Sequence, residues 1–284
     1  MESRYLPIGV FDSGVGGLTV AREIFRNLPN ERIIYYGDTA RVPYGNKSKD
    51  TVIRYSRQIA AFLLSKGVKA LVIACNTASS LALDAVQEMT DIPVIGVVKP
   101  GAEIAVRTSL TKKIGVIGTS ATISSGLYDR YITELLPDAE IFGKACPLFV
   151  NLVEEGMIDD SVTIEMIHRY LDGMIKEDNI DTLVLGCTHY PLLMKVIARE
   201  IGGEYAGAEA EGSDRSKKIK LVNPAYTAAK ALESLLKAHN MEADKLMDFA
   251  RHEFYVSDAP EKFREFSNSV MGLDIHNVSL KVLV

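Results

Sequence analysis

The tightest constraint on this chain is a pattern that it contains twice. KALVIACNTAS (69–79) and DTLVLGCTHYP (181–191) each pass from a polar residue through an apolar run and a small residue to a cysteine, then to polar residues suited to opening a helix. Upstream of them, IGVFDSGVGGLT (8–19) and IGVIGTSATISS (114–125) align in the same way, so Ile8 stands about as far before Cys75 as Ile114 before Cys187. A chain of 284 residues with 47% hydrophobic content is long enough for two domains that each bury a core. The repeat implies two related βα domains, each with one thiol at a strand end. Chance similarity among βα units is the alternative.

Between and around these segments, short β-branched runs closed by Gly, Ser, Thr or Asn alternate with longer stretches of helical spacing, the signature of βα units and parallel sheet. Strands are expected at Pro7–Phe11, Arg32–Gly37, Ala70–Ala74, Val94–Val98, Lys113–Ile117, Thr182–Leu185 and Ile219–Val222. Their continuous apolar character fits sheets covered by helices on both faces. Over Lys49–Lys66, Val52, Tyr55, Ile59, Phe62 and Leu63 form one apolar stripe, which predicts a helix. Breaks are expected at Lys99-Pro100-Gly101 and in GGEYAGAEAEGSDRSKK (202–218), a small, polar and charged segment that reads as an exposed loop.

Several function classes are disfavoured. A formal net charge of −5, without a local Lys/Arg cluster, gives no footprint for nucleic acid. The start MESRYLPIGVFDSG has no apolar segment behind a basic one, and no apolar run reaches membrane-spanning length, so the expectation is a cytoplasmic chain with no membrane partner. Three cysteines, an odd number and widely spaced, fit free thiols rather than a disulfide framework or a zinc site. Of the five histidines, His168, His239, His252 and His276 lie in charged helices or tail segments, so no metal cluster is expected.

The residues left to carry chemistry cluster at strand ends. Cys75 and Cys187 should emerge at the carboxyl ends of parallel strands, where open α/β sheets bind ligands. Helix starts beside them would favour the thiolates. An isolated cysteine is more often a small buried hydrophobe, which is the reading for Cys146. Two in matched settings, followed by Asn76-Thr77 and Thr188-His189, favour a functional pair. One thiol per domain, facing a cleft between the domains, suits removal of a proton from one face of a carbon and its return to the other. Asp12 is either a helix N-cap or the partner of a substrate ammonium. Ser13, Asn76, Thr77 and Thr188 offer neutral donors for carboxylates, and His189 could donate to a reacting group. In DTARVPYG (38–45), Pro43 and Gly45 fix the backbone around Tyr44, which either lines the site or packs over it. The rival readings are a Cys-His hydrolase or acyl transferase with Cys187 as nucleophile, and a two-lobed amino-acid binding protein without catalysis.

Taken together, FDSGVGGLTV, DTARVPYG, VIACNTAS, CPLF followed by LVEEG, and LGCTHYPLL resemble the glutamate racemases of the aspartate/glutamate racemase superfamily, with a fainter continuation through FYVSDAPEKFREF (254–266). The resemblance implies an α/β fold of two pseudo-symmetric domains, each a mostly parallel sheet flanked by helices, with the active site in the interdomain cleft. Residues 1–98 with 209–284 would form one domain and 99–208 the other. It implies interconversion of L- and D-glutamate by a two-base, two-cysteine mechanism with no cofactor and no metal, supplying D-glutamate for peptidoglycan, in a homodimer. Cys75 would act on D-glutamate and Cys187 on L-glutamate, assisted by Asp12, His189 and Glu154. Asp12, Ser13, Tyr44, Gly45, Asn76, Thr77, Thr188 and His189 would line the substrate site. Asn223, in VNPA, departs from the acidic residue of many relatives. The nearest alternative is a racemase for a related acid such as aspartate.

Overall fold

The computed structural model describes residues 3–205, 218–245, 248 and 251–283. They divide into two compact units, Met1–Val97 with Ala225–Val284, and Val98–Pro224.

The first unit opens with β1 (Ile8–Asp12), α1 (Leu18–Asn27), β2 (Ile33–Gly37), α2 (Lys49–Ser65), β3 (Ala70–Ile73), α3 (Asn76–Gln87) and β4 (Val94–Gly96). Every residue of β1, β2 and β3 is buried, as a strand covered on both faces requires. Ser48 caps α2 by accepting the Thr51 N–H, and Val52, Ile59 and Leu63 form its buried stripe. Gly9 allows that helix to sit close to the sheet, because a Cβ there would stand 2.7 Å from Leu71 Cδ2 and 3.3 Å from Leu63 Cβ. Gly115, its counterpart in the repeat, serves the second unit in the same way against Ile180, Leu183 and Met174.

The second unit runs through α4 (Val98–Thr108), β5 (Lys113–Gly118), α5 (Ser120–Ser124), α6 (Leu127–Leu135), β6 (Glu140–Ala145), α7 (Leu148–Glu154), α8 (Ser161–Lys176), β7 (Thr182–Gly186), α9 (Met194–Ile201), β8 (Glu204–Tyr205) and β9 (Lys220–Val222). Its sheet is parallel, in the order β6-β5-β7-β9-β8. The core beneath it gathers Val98, Ala102, Ala105, Ile114, Val116, Tyr128, Ile132, Val184 and Val222. The chain then returns through α10 (Pro224–Ala238), β10 (Glu253–Val256), α11 (Pro260–Ser269) and β11 (Val278–Leu280) to complete a parallel sheet ordered β11-β10-β2-β1-β3-β4.

Three expectations need correction. The strand expected over Val94–Val98 stops at Gly96, and Val98 already begins α4; Pro100 and Gly101 fall in its first turn, where Pro is tolerated because the N–H it lacks would be unpaired anyway. The second crossing, expected at 208–209, falls outside the described residues, as does 206–217 of the expected exposed loop. Lys220–Val222 pairs with β7, so it belongs to the second sheet and the return comes after Pro224. Finally, β6, β8, β10 and β11 lie outside the expected strands: β6 is a half-exposed edge of mixed polarity and β11 an exposed edge, so neither shows the continuous apolar run of a central strand, and β8 is a two-residue edge strand on β9 inside the segment 202–218 that reads as a loop.

At the amino-terminal end of the first sheet, Lys69 and Glu31 form a buried ion pair, Nζ to Oε2 2.6 Å, with both side chains 2% exposed. Lys69 Nζ also donates to the carbonyls of Arg4 and Met241, and Glu31 Oε1 accepts the Ala243 N–H at 2.8 Å, so the pair ties the chain start and the segment after α10 to β3. Breaking a buried pair leaves an uncompensated charge. Lys69→Met should therefore lower unfolding free energy in urea by about 3–5 kcal/mol, and adding Glu31→Leu should recover most of the loss.

Candidate active site

In the first sheet β1 lies between β2 and β3, so the helices that follow β1 and β3 depart in opposite directions and leave the carboxyl ends of these two strands open. Asp12 is the last residue of β1 and is fully buried. Its Oδ2 accepts the Gly14 N–H at 3.0 Å, so the carboxylate organises the turn and is not the N-cap of α1, a position held by Gly17. Gly17 is required there: a Cβ would stand 2.3 Å from Asp12 Cβ and 2.7 Å from Tyr35 Oη. Tyr35 donates its hydroxyl to Gly14 O at 2.8 Å, and burial, with Asp12 and Cys75 nearby, holds that hydroxyl un-ionised.

Cys75 follows β3 and is the N-cap of α3, its Sγ accepting the Ala78 N–H at 3.5 Å. The thiol donates to Ser13 Oγ across 3.6 Å. Asn76 and Thr77 form the first positions of α3 and are buried with it. Tyr44 is buried in the same cluster of side chains as Cys75 and Ala78. Its hydroxyl donates to Asp38 Oδ2, while Arg41 Nε donates to both Asp38 oxygens, at 2.9 and 2.7 Å. Arg41 also lies over the Tyr55 ring, 4.0 Å from its centroid. The loop that presents Tyr44 and Gly45 is thus held by a buried carboxylate that sequence reading left unremarked, although Asp38 opens the DTARVPYG motif.

In the second unit β5 lies between β6 and β7, the same arrangement. Cys187 follows β7; it does not open an α-helix, since a turn and a 3-10 segment, Tyr190–Leu192, come before α9. The expected helix start at each thiol therefore exists for Cys75 alone. Cys187 has His189 instead: its Sγ is 3.9 Å from Nδ1, and His189 Nε2 lies 3.0 Å from Glu154 Oε1 at the end of α7. Burial alone would lower the His189 pKa, but Cys187 and Glu154 outweigh it and push it up to about 10. The structure thus assembles Cys187, Thr188, His189 and Glu154, and separately Asp12, Ser13, Tyr44, Cys75, Asn76 and Thr77.

Tyr190 donates to Cys146 O at 2.8 Å, and burial raises the Cys146 thiol, as suits a packing residue. Thr119, the N-cap of α5 at the end of β5, occupies the station that Ser13 holds after β1. The internal repeat aligns it with Ser13. Among the described residues no group of three or more His, Cys, Asp or Glu is placed to hold a metal ion, and no helix is long and apolar enough to cross a membrane.

With its pKa lifted above the ordinary 6.5, His189 contributes stability that is full below about pH 6.5 and is lost as pH rises toward 10. Proton-detected NMR should find its imidazolium still charged at pH 8, and Glu154→Gln should move the titration toward neutrality; a His189 that is neutral at pH 8 contradicts the assignment.

A family model described as Asp/Glu/Hydantoin racemase matches residues 8–232. A glutamate racemase of Persephonella marina is 47% identical over 277 residues, covering 98% of each chain. One from Geobacter metallireducens is 45% identical, covering 96% of this chain and 97% of its own. Among solved structures, a glutamate racemase isoform from Bacillus anthracis superposes with TM-score 0.87 at 37% identity, covering 99% of this chain and 98% of its own. The Francisella tularensis glutamate racemase, solved in complex with D-glutamate, gives 0.85 at 37% identity with the same coverage. By the extent of the family match and the end-to-end similarity of these relatives, the chain belongs to the Asp/Glu/Hydantoin racemase family, as an isomerase of its glutamate racemase branch.

Proposed function

We propose that this enzyme interconverts L- and D-glutamate without a cofactor, with one thiol from each unit acting on opposite faces of the same α-carbon. The observation that carries the reading is that each unit ends a central strand in a buried thiol with its own hydrogen-bonding partner: Cys75 with Ser13, beside Asp12, and Cys187 with His189 and Glu154. In one direction the Cys187 thiolate removes the α-proton of L-glutamate and the Cys75 thiol gives its proton to the other face. In the reverse direction Cys75 is the base toward D-glutamate. Each turnover leaves the two thiols with exchanged protonation states, and the opposite reaction or solvent exchange resets them.

The hard step is the negative charge that develops on the α-carbon and its carboxylate without an electron sink. Fixed dipoles and charges in a site shielded from water are the available means to stabilise it. The α3 amino terminus and the His189 imidazolium supply two such sources. Asp12 would pair with the substrate ammonium, and the carboxylates would be received by the side chains of Ser13, Asn76, Thr77 and Thr188 and by main-chain N–H groups at Tyr44 and Gly45. The product fits the supply of D-glutamate for peptidoglycan in the cytoplasm, in a homodimer.

Kinetics of both directions tests the roles. Cys75→Ser and Cys187→Ser should each reduce racemisation by at least about 100-fold while the variants remain folded, and His189→Asn should slow the L-to-D direction more than its reverse. A Cys75→Ala variant that retained turnover would leave a Cys187 nucleophile mechanism instead. Equal rates with aspartate would assign the enzyme to the wider acidic substrate class.

A further inference from the structure

The segment FYVSDAPEKFREF has no part in the chemistry above, yet its first half is bonded to the loop that carries Tyr44. The register pairs Val256 of β10 with Gly37 of β2, which puts the next residues, Ser257 and Asp38, side by side at the carboxyl ends of the two strands. Ser257 N–H donates to Gly37 O at 3.1 Å. Its buried hydroxyl donates to Asp38 Oδ1 at 2.8 Å and accepts the Ala40 N–H at 2.8 Å. One residue on, the Asp258 N–H donates to Thr39 Oγ1 at 2.9 Å, and the Thr39 hydroxyl donates back to Asp258 O. Residues 37–40 are thus latched to the carboxyl-terminal part of the chain by main-chain and side-chain bonds together.

We propose that Ser257 is a positioning residue for the racemisation, setting the placement of Tyr44 and Gly45 through Asp38 and thereby the affinity for the amino-acid substrate. The inference rests on the reading that Tyr44 and Gly45 line the substrate site. Asp38 divides its oxygens among three donors: Ser257 on Oδ1, Tyr44 on Oδ2, and Arg41 on both. Without the Ser257 hydroxyl, Oδ1 loses its neutral donor and Ala40 N–H its acceptor. The carboxylate then keeps only Arg41 and the Tyr44 hydroxyl as side-chain donors, with nothing to anchor it to β10, and the Tyr44 hydroxyl shifts with it. Asp38 and Ser257 touch no reacting atom in this scheme, so the loss falls on binding of ground state and transition state alike, which raises KM and leaves kcat in place.

Steady-state kinetics of the full chain in both directions, with thermal unfolding of the same samples, tests this. Ser257→Ala should raise KM for both enantiomers roughly five-fold with kcat within about two-fold, the scale of one hydrogen bond. Ser257→Thr, which keeps the hydroxyl, should restore KM, and in a Tyr44→Phe background Ser257→Ala should add little. Should Ser257→Ala fail to fold, Ser257→Cys, a weak donor of similar shape, carries the same test with a smaller KM rise. An unchanged KM with a lowered Tm would overturn the proposal and leave the latch a fold support. If Tyr44→Phe alone left KM unchanged, the reading of Tyr44 as a substrate-site residue would fail, and this inference with it.

Discussion

An all-parallel sheet leaves one place where polar side chains can gather without interrupting the strand ladder: the carboxyl ends of two adjacent central strands whose following helices depart to opposite sides. Both units are organised around that constraint, the first as β2-β1-β3-β4 and the second as β6-β5-β7-β9. In the first, Asp12 is buried because the Gly14 N–H satisfies it, Tyr35 holds the same turn from beneath, and Gly17 lets α1 start against both. Remove any of these and a buried carboxylate loses its setting, which costs far more than a surface charge would. The position of Ser13 against Cys75 depends on this turn.

The two thiols reach comparable settings by different physics. Cys75 caps an α-helix, where unpaired N–H groups and the macrodipole present positive potential to sulfur. Cys187 precedes a tight turn and takes its positive partner from His189, whose pKa is raised by Cys187 and Glu154 together against the cost of burial. A reaction run in both directions at similar ease does not require identical surroundings, only two groups whose acidities can be matched.

Much of this was legible because strands buried on both faces are written as unbroken apolar runs. IGVFD, IIYYG, ALVI and TLVLG identify themselves, and the cysteines at the ends of the last two follow. The edge strands EIFGKA and VSL were not legible, because solvent on one side admits Glu, Lys and Ser and removes the pattern. The return crossing reads early because the small polar residues of 202–218 look like a boundary, while the short KLV strand after them carries too little signal to identify its sheet partner. Of the candidate residues, Cys75 and Asp12 in the first unit and Cys187 and His189 in the second can be named from local context. The bond between Glu154 and His189 and the pairing of Asp38 with Ser257 join residues far apart in sequence, and no local pattern encodes such contacts. Thr119 was within reach, since the internal repeat sets it opposite Ser13.

The central claim is proton transfer at one carbon by two groups, and incubation of the purified chain with L-glutamate in deuterated water, without added cofactor, tests it most directly. Circular dichroism follows the enantiomers while mass spectrometry follows the α-position. The account predicts ellipticity decaying to zero, with solvent deuterium entering the newly formed D-glutamate before it enters the remaining L-glutamate. Constant ellipticity with no deuterium at the α-carbon would contradict it.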